Sequence, residues 1–180
     1  NEWSNAAPNS RVENRYGPTE LTVDVTQHIL SEKDNHNNYN NGIVPIGTAF
    51  TDQKLIIVDG NNKIITEKMK NGELVVSGPQ VTKGYLNDIK KTNQSFVRFY
   101  WDKENDLWYR TGDLVFLNED DNIEFIGRID KQIKLAGRRI ELGEIEYIIK
   151  EYGELREIVI VTQKDTTRIV EHLVAFITND

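Results

Sequence analysis

The chain has no cysteine among its 180 residues. Disulfides, thiolate catalysis and cysteine-ligated zinc are therefore excluded together, and a reducing, cytoplasmic setting is expected. Histidine is nearly as scarce: His28, His36 and His172 are the three imidazoles, and no two stand at a metal-ligand spacing. Long apolar runs are missing too. None approaches the roughly 18 residues that a membrane-crossing helix needs, so no membrane partner is expected. The opening residues, Asn1-Glu2-Trp3-Ser4-Asn5, have neither the basic nor the apolar part of a signal peptide and no initiator methionine, as in an excised piece of a longer chain. Positive charge is in deficit: 22 Lys and Arg against 29 Asp and Glu leave a net −7, which argues against a nucleic-acid partner. No segment repeats at the period of a solenoid.

What is present is the composition of a globular protein, 38% hydrophobic and 28% charged, long enough for one ordinary core or two small ones. Residues 1–15 lack periodicity and read as loop. Gly17-Pro18 marks a turn, and the alternation over Leu21–Val25 predicts a strand leaving it. The Asn-rich stretch from Ser31 to Gly42 is too polar to offset its ordering entropy and is expected to be a loop. Lys54–Val58 and Lys63–Thr66 flank Asp59-Gly60-Asn61-Asn62, a hairpin signal. Glu73–Ser77 is a strand closed by Gly78-Pro79, and residues 88–94 form a short exposed helix. Thr111-Gly112-Asp113 reads as a turn carrying a lone carboxylate, before a hairpin of Leu114–Leu117 and Ile123–Ile126 across Asn118–Asn122. Short strands at this spacing suggest a small barrel or sandwich.

After Asp130 the pattern changes. Ile133–Leu135 and Arg139–Leu142 bracket a glycine tip. Ile145, Ile148, Ile149 and Tyr152 then follow the i, i+3, i+4, i+7 rule of an amphipathic helix. Arg156–Val161 and His172–Ile177 are apolar enough for strands around a turn at Lys164–Arg168. The fold class expected is α+β: a β-rich, barrel-like subdomain over 1–129, followed by the first part of a small α/β domain over 130–180.

Taken one at a time, the polar residues support two readings each. Asp113 could accept both hydroxyls of a vicinal diol, as acidic residues do with ribose, or cap its own backbone in an Asx-turn. Glu20 could hold magnesium, which prefers carboxylate oxygen, or simply end a turn. Tyr16 could stack on a purine or fill a core. Arg128 could pair with a phosphate or remain solvated. Lys131, Lys134, Arg138 and Arg139 form a basic cluster suited to a small anion, or else a solvated hairpin face.

Read in order, YGPTE, GELVVSGPQVTKGYLN, YRTGDL and GRIDKQIKLAGRRIELGEIE resemble the adenylate-forming enzyme superfamily, from about Tyr16 to at least Ile149. That superfamily includes the adenylation domains of nonribosomal peptide synthetases, acyl-CoA synthetases and luciferases. The last motif looks most like the amino-acid-activating branch, which includes the D-alanine–carrier-protein ligases. The resemblance implies an ATP-dependent ligase that activates a carboxylate, an amino acid, as acyl-AMP. It then passes the acyl group to a carrier-protein thiol on a phosphopantetheine arm. An acyl- or aryl-CoA synthetase using CoA is the alternative, and a non-catalytic module binding a nucleotide or a partner is another.

The implied roles fall at matching positions. Tyr16, with Gly17 beside it, would stack on adenine, and Phe125 would pack on the other side or edge. Thr19 would contact the ATP phosphates, and Glu20 would hold Mg2+ there. Asp113 would take the ribose hydroxyls, and Arg128 ribose or phosphate oxygens. Asp130 would be the hinge of the small domain. Lys134 and Gly137 would lie on the loop that comes over the site during thiol attack. Arg15, Val23 and Asp24 would edge the substrate pocket, where Asp24 hints at a polar or cationic acid. The superfamily's upstream phosphate loop and its late catalytic lysine have no counterpart here, and Lys164 stands too early to be that lysine. The chain alone is thus expected to be inactive without the N-terminal part of the same enzyme.

Overall fold

In the computed structural model, residues 7, 9–30, 39, 43–130, 132–135, 138–153, 157–164 and 170–178 are described. The chain forms two compact units, Asn1–Gly127 and Arg128–Asp180. The first is organised around strand β5, Gly72–Ser77, whose six residues are all buried. Its period of two divides the apolar side chains between two faces. Leu74 and Val76 join one cluster with Leu21, Val25, Ile57 and Tyr109. Val75 joins the other with Val58, Phe99 and Trp108. Burying each of these valines and leucines contributes roughly 1.5–3 kcal/mol relative to leaving it in water.

Strand β5 runs antiparallel to β4 (Lys54–Val58) and to β7 (Trp108–Leu117). The short β6 (Phe96–Val97) and β8 (Ile123–Arg128) both pair with β7, which makes a five-stranded sheet. On the second face Phe99 stacks on Trp101 with ring centroids 4.7 Å apart, and both meet Trp108 edge-on. A three-stranded sheet precedes this one: β1 (Glu13–Tyr16), β2 (Thr26–Ile29) and β3 (Thr48–Ala49). The bridge Gly47↔Ile123 ties that region to β8. The architecture is mixed α and β, and among the described residues the strands form these sheets without closing into a barrel.

Three local expectations change. Glu13–Arg15, read as loop, are strand, because polar β1 is held by its ladder to β2, with Tyr16 opposite Thr26. Leu21–Val25, read as strand, follow a single 3-10 turn, Thr19–Leu21, and a reversal at Thr22 with φ of +73°. Leu21 and Val25 are both fully buried, so the apolar spacing reported a core contact and not a pleat. Thr111-Gly112-Asp113 lies inside the ten-residue strand β7, where it stands opposite Leu74 alone, between the pairs Val75↔Arg110 and Glu73↔Leu114. It is a β-bulge, not a turn. Helix α1, Ile89–Ser95, is short and exposed as expected, with the Asp88 carboxylate capping the Lys91 N–H.

In the second unit β9 (Gln132–Leu135) pairs with β10 (Arg138–Glu141), Leu135 facing Arg138. Helix α2, Leu142–Gly153, follows and packs on β11 (Glu157–Lys164), which pairs with β12 (Val170–Thr178). Leu142 and Ile160 are buried, and the Glu146 carboxylate accepts the Ile160 N–H at 2.8 Å. Ile148, counted on the apolar face, is 53% exposed, and Val159 and Phe176, paired on one side of the two-stranded sheet, are exposed too. A two-stranded ribbon can be covered by one helix on one face only. The Asn-rich stretch apart from Tyr39, and the turn expected beyond Lys164, lie outside the described residues.

Candidate functional site

Tyr16 ends β1, and Gly17 lets the chain reverse directly behind it. A Cβ at Gly17 would sit 2.3 Å from the Val23 carbonyl oxygen, so only glycine permits the fold-back. The reversal sends the Val25 N–H to the Tyr16 carbonyl at 2.7 Å and leaves Thr19 exposed and Glu20 buried on the 3-10 turn. The tyrosine ring packs against the first cluster of the core, as does Phe125 from β8. Its hydroxyl donates to Oδ2 of Asp113, a residue 97 positions later. Burial, and then the negative charge of Asp113, push the Tyr16 phenol well above its ordinary value of 10.0, so it remains a donor at neutral pH.

Asp113 reaches that hydroxyl because the bulge is braced by side chains. Gly112 adopts φ of +68°, and its N–H donates to Oε1 of Glu73 at 3.1 Å. Thr111 Oγ1 donates to the Leu74 carbonyl at 2.8 Å and accepts the Asp113 N–H at 3.0 Å. The second oxygen of Glu73 accepts from the Arg110 guanidinium, which also donates to Asn62 Oδ1 at 2.7 Å. Backbone groups that the ladder leaves over in a bulge are thus satisfied by Thr111 and Glu73. Asp113, 6% exposed, is presented from this braced bulge.

Glu20 is held in a parallel way. Its carbonyl accepts the Thr82 N–H at 2.9 Å, and its Oε1 accepts the Tyr85 hydroxyl at 2.6 Å. Burial, and then the bond to Glu20, raise the Tyr85 phenol, which therefore stays protonated as well. A carboxylate fixed in this way suits magnesium, which takes one or two protein carboxylates and fills its remaining positions with phosphate oxygen and water. Tyr85, Glu73 and Arg110 had no assigned role in the sequence. The one signal there was a lone Glu in an otherwise apolar strand.

The remaining candidates are distributed as follows. Arg15 donates to Glu13 Oε2 at 3.0 Å and to Asp24 Oδ2 at 3.1 Å. Asp24 is thus paired with the half-exposed Arg15. Val23 is 66% exposed beside them. In the second unit Arg128 grips Asp130 through both arms of its fork, Nε to Oδ1 at 2.9 Å and a terminal nitrogen to Oδ2. Asp130 Oδ1 also accepts the Gln132 N–H at 3.0 Å. Lys134 lies on β9 opposite Arg139. Gly137 and Lys131 lie outside the described residues. Asp102, Glu104 and Asp106 converge elsewhere in the first unit, but Glu104 and Asp106 pair with the Lys54 ammonium and Asp102 accepts the Trp108 indole N–H at 2.8 Å. The groove beside them, lined by Ile56, Ile64, Trp101 and Asp121, includes none of Tyr16, Glu20 and Asp113.

Residues 1–86 match the family model described as AMP-binding enzyme. The D-alanine–D-alanyl carrier protein ligase of Lactiplantibacillus plantarum is 33% identical over 94% of this chain, and the match spans 32% of that protein. Bacitracin synthase 1 of Bacillus licheniformis is 37% identical over 83% of this chain and 3% of its own length. Among solved structures, the Vibrio cholerae adenylation domain AlmE in complex with glycyl-adenosine-5'-phosphate superposes with a TM-score of 0.82 and 34% identity, over 98% of this chain and 32% of that one. PA1221, a nonribosomal peptide synthetase protein containing adenylation and PCP domains, superposes with a TM-score of 0.80 and 28% identity, over 98% and 34%. The chain therefore spans about a third of the length of the D-alanine–D-alanyl carrier protein ligase.

Proposed function

This chain belongs to the adenylate-forming superfamily of AMP-binding enzymes, and on that premise we propose that it carries the adenosine-holding part of an ATP-dependent acid–thiol ligase. The parent enzyme activates an amino acid as its acyl-AMP with release of pyrophosphate. It then transfers the acyl group to the phosphopantetheine thiol of a carrier protein, in the cytoplasm. The observation that carries the reading is the union of Tyr16 and Asp113 across 97 residues. An aromatic face and a diol-accepting carboxylate are what recognition of adenosine needs side by side.

In this reading Tyr16 stacks on adenine with Phe125 at its edge, and the close turn at Gly17 keeps the strand end clear of the nucleotide. Asp113 accepts the ribose hydroxyls. Thr19, exposed at the turn, donates to phosphate oxygen. Glu20 holds magnesium, which when bound supplies positive charge to the phosphates. Residues 1–129 are the end of the large domain and 130–180 the start of the small one, hinged at Asp130. Arg128 exchanges Asp130 for nucleotide oxygens. Lys134 and Gly137 belong to the loop that meets the thiol, and Arg15, Val23 and Asp24 edge the acid pocket.

The test is amino-acid-dependent ATP–pyrophosphate exchange by the intact ligase, followed by transfer to a holo carrier protein or to CoA. Exchange and carrier loading are the expected results. Absence of exchange with every proteinogenic amino acid and with D-alanine overturns the amino-acid reading, and transfer to CoA alone overturns the acceptor.

A further inference from the structure

We propose that Tyr85 is a positioning residue for Glu20: its phenol fixes the one carboxylate rotamer that a divalent cation can use, and α1 exists to hold that phenol in place. The proposal rests on Glu20 being the magnesium ligand.

The support can be followed bond by bond. The Tyr85 hydroxyl donates to Glu20 Oε1 at 2.6 Å, across 65 residues of chain. A carboxylate has about four acceptor sites, and a short donor at one of them constrains the orientation of the others. The Tyr85 backbone is anchored in turn, its N–H donating to Thr92 Oγ1 at 2.9 Å. The Thr92 hydroxyl donates to the Asp88 carbonyl at 2.8 Å, inside the first turn of α1. The ring is held on two sides, edge-on to Phe96 at 5.6 Å and beneath the Lys91 ammonium at 5.3 Å. Phe96 passes the contact to Tyr109 at 5.1 Å, in the strand that also carries the Asp113 bulge. Helix α1 buries none of its own residues, so core packing does not account for its place in the fold. Two of its residues, Thr92 and Lys91, meet Tyr85.

A donor to a metal-ligating carboxylate acts as an outer-shell partner, and loss of such a partner typically costs about 10–100-fold in metal affinity. The experiment titrates the intact ligase with Mn2+ in the presence of a non-hydrolysable ATP analogue and follows paramagnetic broadening of the Glu20 amide, which separates this site from the Asp102 cluster. AMP affinity is measured on the same proteins, free of metal, by calorimetry. Tyr85→Phe is expected to raise the Mn2+ half-saturation at Glu20 about tenfold while AMP affinity holds within about twofold. Tyr100→Phe, at a tyrosine 78% exposed, should change neither. Should Tyr85→Phe not fold, Thr92→Val should weaken Mn2+ in the same sense and Thr92→Ser should restore it. Equal Mn2+ affinity in wild type and Tyr85→Phe, or a parallel fall of Mn2+ and AMP affinity, overturns the positioning role. No broadening at Glu20 in the wild-type ligase removes the metal ligand itself, and the proposal with it.

Discussion

Two arginine–carboxylate pairs, one in each unit, have the same chemistry and opposite structural weight. Arg110 and Glu73 join neighbouring strands 37 residues apart, with side chains 28% and 10% exposed, and Glu73 also receives the Gly112 N–H. Arg128 and Asp130 stand two residues apart, with side chains 21% and 41% exposed, and Asp130 also receives the Gln132 N–H. The first pair locks a bulge that the sheet would otherwise leave with unsatisfied backbone. The second is a local fork that can open without disturbing a ladder. On the proposed reading, Asp113 uses the former kind of mount to bind ribose, and the hinge at Asp130 uses the latter.

The strongest challenge to this contrast is Glu73→Ala. It leaves Arg110 and the Gly112 N–H without their acceptor and should cost about 2–3 kcal/mol in urea unfolding of the chain. That is below the range for a fully buried pair because Arg110 keeps partial access to water. A loss under about 0.5 kcal/mol would place the pair with ordinary surface bridges. Next is Asp113→Ala, which removes what the mount presents. In the intact ligase it should raise the apparent KM for ATP about tenfold or more, the scale of hydrogen bonds to a charged acceptor. An unchanged KM would sink the ribose assignment.

Alkaline titration gives a third, smaller test. The Tyr16 phenol is raised above 10.0 in the folded chain, so the folded state keeps a proton that the unfolded state releases. Its contribution is complete below pH 10 and is lost as pH rises from there toward the folded value. The wild-type chain should therefore lose roughly 1 kcal/mol more stability than Tyr16→Phe between pH 9 and 11. Parallel curves for the two proteins would contradict the burial of that hydroxyl. The smallest effect belongs to Asp130→Ala, expected within about 0.5 kcal/mol in urea, as for exposed ion pairs generally. A loss as large as that of Glu73→Ala would erase the distinction between the two regions.

Much of this is legible in the sequence. Strand β5 was visible because a run of Leu, Val and Val between Gly and Gly-Pro can only be buried sheet. Helix α2 was visible through its spacing, and the four motifs in order pointed to the superfamily. The errors cluster where a residue answers to a distant partner. Leu21 and Val25 alternate like a strand, yet they face one core from either side of the reversal at Thr22, Leu21 at the end of a 3-10 turn and Val25 just before β2. Glu13–Arg15 carry no strand signal, because β1 is specified by its ladder to β2.

Neighbouring residues were enough to set the composition class, the apolar periodicities and the identity and order of the chemical groups, since these depend on positions close together in the chain. Folding had to decide that Asp113 sits in a braced bulge and not a turn, that Arg15 pairs with Asp24, and that Tyr16 and Tyr85 each hold a carboxylate. Each of these depends on a hydrogen bond or ion pair whose members meet only in the folded chain. No local pattern can report a partner 65 or 97 residues away.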